Sequence, residues 1–474
     1  MPPSSGETGF PGRHSPMGEL TPERAVAVAV LKRTFENGEF TEVAFRDEAE
    51  RRSLTGRQRA LAQYLSFGAV QRRGTADTIR REFSRRSGPE PDPGVVAAIR
   101  LGIFELLFAD GIPDHSSVDQ AVEAARANDG GKRAAGFVNA ILRRTIRERD
   151  QLRGRLADDA TPEAAVFAHS VPSWIVSMWW EELGPELART ALAGSNLPAE
   201  RAVRANTEKI EPAALVEALG DDLEVVRPEG DWPLAPGELL LTSGNLSRAE
   251  ALARDGLLVI QSRGSAAVVE VLDPQPGDRV LDLCSGPGIK TGQLACRVGP
   301  HGNVVAVEPD PDRAAEVGRQ VERLGYHNTL VIEADGTNTE ILGTFDKVLV
   351  DAPCSDLGTM ASRPDVRWRK EPSTIERLVP LQAELLDRAV SCLAPDGQLV
   401  YSTCTISRRE NAEQAQAAAE RNGLVIEDLG ERSPHLADPT DSRFLQMVPG
   451  REETTGFFIA LFTKGHDRQS ADQA

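Results

Sequence analysis

A multidomain chain, all-α at its amino end and α/β with a doubly wound parallel sheet at its carboxyl end, is what the sequence predicts. Three observations predict it. The chain has 474 residues, too many for one ordinary core. From residue 21 to about 150, apolar residues recur at three- and four-residue spacing, and alternating strand runs are absent. From residue 251 on, short apolar runs alternate with amphipathic stretches of helical period.

Residues 1–20 are rich in Pro, Gly and Ser and are expected to form a disordered tail, as are residues 465–474. Residues 21–155 carry the helical segments "ERAVAVAVLKRTF", "RQRALAQYLSFGAV", "GVVAAIRLGIFELLF", "SSVDQAVEAARA" and "GFVNAILRRTIRERDQL". Residues 160–250 mix signals. "PSWIVSMWWEELG" has helical spacing, "RAVRAN" and "LEVVRP" are short strands, and "EPAALVEALG" is a helix between them, which makes a small α/β unit. Its Trp174, Trp179 and Trp180 are taken as core residues. In 251–464 the buried-strand candidates are 279–284, 303–308, 329–334, 346–352 and 397–403, with "TGFFIALFTK" as a last strand.

Five cysteines, none in CxxC spacing, argue against a disulfide framework and against a structural metal site. Reduced thiols in a cytoplasmic protein fit that pattern. No signal peptide and no membrane span is evident. The net charge of −18 argues at first against a nucleic-acid partner. Residues 21–150, however, hold 22 Lys+Arg against 19 Asp+Glu. Within 51–86, Arg51, Arg52, Arg57, Arg59, Arg72, Arg73, Arg80, Arg81, Arg85 and Arg86 cluster against only Asp77 and Glu82. Such a cluster suits phosphate contact or, equally, a solvated helix face.

In doubly wound sheets, ligands bind beyond the carboxyl ends of the strands, so the residues just after each apolar run carry the information. After the first run comes "DLCSGPGIKTG". Gly286 and Gly288 allow close backbone approach, and the helix beginning near Lys290 offers its amino terminus. A phosphate-binding loop is excluded, because Ile289 and not glycine precedes Lys290, and GxGxxG is not met either. Glu308 ends the second run and can accept from ribose hydroxyls, and Asp335 after the third can reach an adenine edge. Capping carboxylates would explain each acid separately but fit all of these features together less well. A nucleoside-bearing cofactor is the expectation.

"DAPCSDLGT" and "YSTCT" end the fourth and fifth strands, which brings Cys354 and Cys404 toward one crevice. A thiolate can add to C6 of a pyrimidine, making C5 able to attack a methyl sulfonium. A base must then take the C5 proton before the thiol can leave. Asp351 is placed to hold the N3/N4 edge of such a base.

"DLCSGPGIKT", "VVAVEPDPDR", "EADGT", "DKVLVDAPCSDLGT", "RPDVRWR", "LQAELLDRAV", "YSTCTISRRENAEQ" and "TGFFIALF" together resemble the successive motifs of the Sun/Fmu-type RNA cytosine-5 methyltransferases. "PSWIVSMWW", "RAVRANT" and "LLVIQSRGSAAVVEVLDPQPGDRVLDLC" resemble that family's RNA-recognition unit. "GIFELLF" and "FVNAILRR" resemble a NusB-like helical RNA-binding domain. The three-part order resembles the bacterial RsmB type, which acts on 16S ribosomal RNA.

The resemblance implies a NusB-like domain over 21–155, an RNA-recognition unit over 160–250 and a Rossmann-like methyltransferase domain over 251–464. It implies S-adenosyl-L-methionine as cofactor, held by Cys284, Ser285, Gly286, Pro287, Gly288, Ile289, Lys290, Glu308, Arg313, Asp335 and Asp351. Cys404 matches the covalent nucleophile, Cys354 the thiol that helps resolve the adduct, Asp351 the carboxylate facing base and cofactor, and Lys290 the lysine lining the pocket. RNA is the implied partner, with no membrane, no metal and a monomeric state.

The chain departs from the pattern at four places. Ser285 to Lys290 stands where Ala-Ala-Pro-Gly-Gly-Lys is usual, so a positive φ at Ile289 would be strained. Glu308 replaces the usual Asp, Asp356 stands where Gly is common, and Ser262 where Asp is usual. Transfer RNA as substrate, a non-catalytic RNA-binding ribosome-assembly factor and an ATPase are the competing expectations. The missing GxxxxGK speaks against the last, and the intact cysteine pair against a scaffold.

Overall fold

The computed structural model describes residues 19–84, 90–127, 131–220, 223–227, 232, 239–244, 247–338, 343–452 and 454–464. Except for Glu19 and Leu20, the expected tails lie outside these residues. The described residues group into two compact units, one running to Leu192 and taking in Arg363–Arg369, the other holding the rest.

The first unit is helical. Pro22 opens α1 (Pro22–Glu36), where its fixed φ costs no hydrogen bond. Then come α2 (Thr41–Arg51), α3 (Gly56–Gln71), α4 (Arg73–Phe83), α5 (Pro93–Leu107), α6 (Asp114–Arg126), α7 (Gly131–Arg147), α8 (Arg149–Leu156), α9 (Pro162–His169) and α10 (Ser173–Gly194), which kinks at Gly184. Helix α5 is apolar on nearly every face, as a central helix must be, and is buried from Gly94 to Leu106. A Cβ on Gly68 of α3 would lie 2.1 Å from the Phe104 ring, so only glycine permits that crossing.

Sequence spacing ends the helical region near 155, whereas the compact unit continues to Leu192. The cause lies in α9, whose carboxyl end is tied to the start of α4. Thr75 Oγ1 donates to the Phe167 carbonyl (2.6 Å), and Arg72 donates to that of Ala168 (3.1 Å). Trp179 is fully buried, as a core residue should be.

Part of the basic cluster is spent inside this unit. Arg72 lies over the Phe108 ring (4.5 Å), and burial pushes its pKa down to about 10. Arg73 pairs with Asp77 (3.5 Å), and Arg80 with Glu90. Arg51 and Arg52 both pair with the buried Glu48 yet remain exposed, as do Arg57 and Arg81, while Arg85 and Arg86 lie outside the described residues.

The second unit begins with an antiparallel sheet made of β1 (Ala202–Ala205), β2 (Leu223–Val226), β3 (Leu239–Gly244) and β4 (Leu258–Ile260), in the order β2-β3-β1-β4. Helices α11 (Pro212–Leu219) and α12 (Ser247–Arg254) cover it, burying Val203, Leu215, Leu240 and Leu252. Asn206 ties this sheet to the rest of the unit by donating to the carbonyls of Gly256 (2.8 Å) and Leu324 (2.9 Å).

Beyond α13 (Arg263–Leu272) the large sheet is built from β5 (Arg279–Asp282), β6 (Asn303–Glu308), β7 (Thr329–Glu333), β8 (Phe345–Asp351), β9 (Leu393–Thr403), β10 (Leu424–Ile426), β11 (Leu445–Met447) and β12 (Phe457–Lys464). Its order is β10-β12-β9-β8-β5-β6-β7, with β11 also on β12. Helices α14 (Ile289–Val298), α15 (Pro311–Leu324), α17 (Pro372–Cys392) and α18 (Ala412–Asn422) connect and cover it. Strands β5 to β9 are parallel, as their run of apolar residues requires. Strand β12, however, enters antiparallel between β9 and β10. That insertion makes the sheet mixed.

Between β8 and α17, the segment Arg363–Arg369 with its one-turn helix α16 (Val366–Arg369) belongs to the helical unit. There Trp368 Nε1 donates to the Val70 carbonyl (2.8 Å). Arg367 is fully buried, donates to the Ser170 carbonyl (3.3 Å), and has its pKa pushed down to about 9 by burial and by Arg72. No helix among the described residues is long and apolar enough to cross a membrane.

Candidate active site

Parallel pairing of β8 with β9 sets Asp351 beside Ser402. The chain leaves both strands at the same sheet edge, so Cys354 and Cys404 arrive together, with 3.3 Å between their sulfurs. The two loops are locked to each other from beneath. The buried Glu410 carboxylate accepts from Ser355 N (2.8 Å), Ser355 Oγ (2.5 Å) and Gln382 Nε2 (3.2 Å). Asn411 donates to the Thr405 carbonyl (3.1 Å) and accepts from Thr403 Oγ1 (2.5 Å). Gly358 N donates to the Cys404 carbonyl (3.0 Å). A Cβ on Gly358 would come within 2.5 Å of the Gly456 carbonyl oxygen.

Both thiols are hard to ionise. The hydrogen bond with Cys354, then burial, then the negative charges of Cys354, Asp356 and Asp351 push Cys404 well above the ordinary thiol value. For Cys354, the hydrogen bond with Cys404 lowers the value, but burial and the Asp356 and Glu410 carboxylates outweigh it. The resting site therefore opposes ionisation of Cys404.

Asp351 is flanked by Lys290 Nζ (2.7 Å) and Ser402 Oγ (2.8 Å), and Lys290 also lies over the Phe457 ring (5.2 Å). Asp356 holds the left-handed conformation (φ 59°) and brings its carboxylate to the thiols. Its Oδ1 lies 3.2 Å from Cys404 Sγ and 4.0 Å from Cys354 Sγ, and its Oδ2 lies 2.8 Å from Lys370 Nζ.

At the ends of β5 and β6 the remaining candidates form a second cluster. Gly286 N donates to Glu308 Oε2 (3.0 Å), and Asp310 N to Glu308 Oε1 (3.1 Å). Arg313 donates to the Gly286 carbonyl (2.8 Å) and stands 3.6 Å from Glu308. Ser285 Oγ donates to the Val307 carbonyl (3.1 Å), and Pro287 carries the chain to Gly288. The left-handed residue is Gly288 (φ 97°), not Ile289, which opens α14. The strain expected at Ile289 does not arise.

The Cys284 thiol is half-buried and pushed well above its ordinary value by burial and by the Asp282, Asp351 and Glu308 charges. Asp335 is not drawn into either cluster. It is exposed beyond β7, where its carboxylate accepts from Thr337 N (2.9 Å) and Thr337 Oγ1 (2.7 Å).

These residues suit a nucleoside cofactor. A Cβ on Gly286 would sit 2.3 Å from Glu308 Oε2, so the glycine loop is a cradle laid against an acid. A carboxylate has about four acceptor positions, and Glu308 retains some beyond its two backbone donors.

The profile of a family described as 16S rRNA methyltransferase RsmB/F matches residues 269–463, and that of the NusB family matches residues 21–147. A ribosomal RNA small subunit methyltransferase B of Xanthomonas campestris is 32% identical over 413 residues, covering 86% of this chain and 89% of that protein. The chain belongs to the RsmB/F methyltransferase family. A putative methyltransferase of Mycobacterium tuberculosis is also 32% identical, over 94% of this chain and 97% of its own length. The crystal structure of PH0851 matches 94% of this chain and 99% of its own at 25% identity, with a TM-score of 0.78. As an RsmB/F methyltransferase, the protein uses S-adenosylmethionine.

Four residues next to the thiols carry no role in the sequence reading: Glu410 and Asn411, noted only within a motif, Asp356, noted only as a departure, and Lys370. The signal available was polarity without a neighbour to explain it in "PCSD" and "RREN".

Proposed function

We propose that this protein methylates C5 of a cytosine in small-subunit ribosomal RNA through a covalent adduct between Cys404 and C6. The observation that carries the reading is the pair of thiols 3.3 Å apart, beside a carboxylate held by Lys290. The names of the relatives in Xanthomonas campestris and Bacillus subtilis, both ribosomal RNA small subunit methyltransferase B, the latter marked probable, support the substrate. The NusB-family helices support it too, with Arg51, Arg57, Arg143 and Arg147 exposed for phosphate contact.

Gly286, Gly288, Glu308, Arg313 and Asp335 would hold the nucleoside part of the cofactor, and Lys290 and Asp351 would line its reactive end. Bound S-adenosylmethionine supplies the electrophilic methyl that C5 takes up. Asp351 accepts from the cytosine N4 amino group and fixes the base, while Lys290 holds Asp351 in place. The Cys404 sulfur forms a bond to C6, and the C5=C6 electron pair moves toward C5. Once C5 carries the methyl, its proton passes to a base, the C5–H electron pair re-forms the C5=C6 bond, and the S–C6 pair leaves with sulfur. Cys354, in contact with Cys404, assists that release.

The test is methylation of ribosomal RNA with labelled cofactor, followed by mass mapping of 5-methylcytosine. Cys404→Ser is expected to reduce product to background, and Cys354→Ala to accumulate a covalent protein–RNA complex. Full activity in Cys404→Ala would sink the proposal.

A further inference from the structure

We infer that Asp356, held by Lys370, is the proton acceptor that activates Cys404. The inference rests on the reading of Cys404 as the nucleophile and adds the group that must take its proton. Asp356 occupies a backbone conformation (φ 59°, ψ 12°) that glycine adopts most easily, yet the chain carries a carboxylate there. That carboxylate touches the sulfur that reacts, with Oδ1 3.2 Å from Cys404 Sγ in the direction of thiol donation. The other oxygen is pinned by Lys370 Nζ at 2.8 Å. The pair is partly sheltered, with side chains 24% and 19% exposed. Lys370 holds the carboxylate aimed at the sulfur, so it is a positioning residue.

The charged and titratable groups around the two thiols are Asp351, Asp356 and Glu410, with Lys290 against Asp351 and Lys370 against Asp356. Asp356 and Asp351 oppose a free thiolate at Cys404. A site of this kind favours proton transfer during attack over ionisation beforehand. As the S–C6 bond forms, the S–H bond breaks and the proton moves to Asp356 Oδ1, while the C5=C6 pair shifts to C5. When the adduct is resolved, the S–C6 bond breaks and the same proton returns from Asp356 to sulfur. The proton on Asp356 is thus conserved over the cycle.

The test uses the full-length protein carrying Cys354→Ala, in which the RNA adduct accumulates. Asp356→Asn and Asp356→Gly are added separately; both residues tolerate the left-handed backbone, and thermal melting reports that the fold is kept. Adduct formation at pH 7 should slow by roughly a hundredfold in both and recover as pH rises. Alkylation of Cys404 by iodoacetamide without RNA should instead become faster, because a repelling carboxylate has been removed. Parental adduct rates in both variants overturn the inference, as does slowing of both reactions together, which is the mark of a packing role. If the Cys354→Ala parent forms no RNA adduct at all, the covalent reading itself has failed, and that result is distinct from either.

Discussion

At the ends of β5 and β6 the contacts of the cofactor cluster run between close chain neighbours or along one strand pair. Gly286 and Glu308, for example, face each other because β5 lies beside β6. At the ends of β8 and β9 the thiols depend on partners gathered from far apart in sequence. Ser355 is held by Glu410, Cys404 meets Asp356, and Asp356 is held by Lys370. The first arrangement needs only one pair of adjacent strands and the loops at its end. The second exists only once the sheet has formed. Substitutions near the cofactor should therefore act locally, and substitutions beneath the thiols should act on fold and chemistry together.

Glu410→Ala is expected to show the largest effect. It removes the acceptor of the buried Ser355 N–H and hydroxyl, and leaving such groups unpaired costs about 1–3 kcal/mol. Because Ser355 follows Cys354 directly, the sulfurs lose their register as well. Denaturation should report the lost stability, and adduct formation should fall in the same variant. Glu410→Gln, which still offers an acceptor, should recover most of the stability. Wild-type behaviour in Glu410→Ala would remove the contrast between the two ends of the sheet.

That contrast also explains what was legible in the sequence. The parallel strands, the glycine loop, Glu308 and the two cysteines follow from apolar runs and from what stands at their ends. Glu410 is adjacent to Ser355 only through the pairing of β8 with β9, and no spacing in "SRREN" reveals it. Asp356 stands out in the sequence only as a residue in a glycine's place. Its meaning lies in the sulfur 48 residues away. The antiparallel entry of β12 was equally hidden, since a strand buried on both faces has the same composition whichever way it runs. At Ile289 the left-handed residue is one position earlier than expected, because Gly288 makes the turn and Ile289 already belongs to the helix.

Asp282 lies between the two ends, on β5, and gives the contrast a pH dependence. Burial raises its pKa to about 7, against the Thr291 hydroxyl that donates to it (2.7 Å), and the Asp351 charge raises it further. A carboxyl with a raised folded-state pKa contributes stability that is complete below the unfolded value near 3.8. That contribution falls as pH rises and is gone above the folded value near 7. The span corresponds to about 4 kcal/mol. Stability measured by denaturation at pH 5 and pH 8 should therefore drop more in the parent than in Asp282→Asn, which cannot ionise. An equal drop in both would show that Asp282 is ionised throughout.

The smallest effect is expected at Asp335, the acid farthest from the thiols in the order of strands. It is exposed, and Thr337 N and Oγ1 already hold its carboxylate below the usual range. Asparagine keeps the acceptor that caps this turn, so folding should not change. What it loses is the charge available to an adenine amino group. In water-accessible surroundings that loss amounts to roughly a fivefold weakening of cofactor binding. Calorimetric titration with S-adenosylmethionine measures it directly. At saturating cofactor, adduct formation by Cys404 in Asp335→Asn should match the parent, since β5 and β6 stand between β7 and the strand pair that carries the thiols. A defect that persists at saturation would mean that the two ends of the crevice are coupled, and that the local construction of the cofactor end does not isolate it.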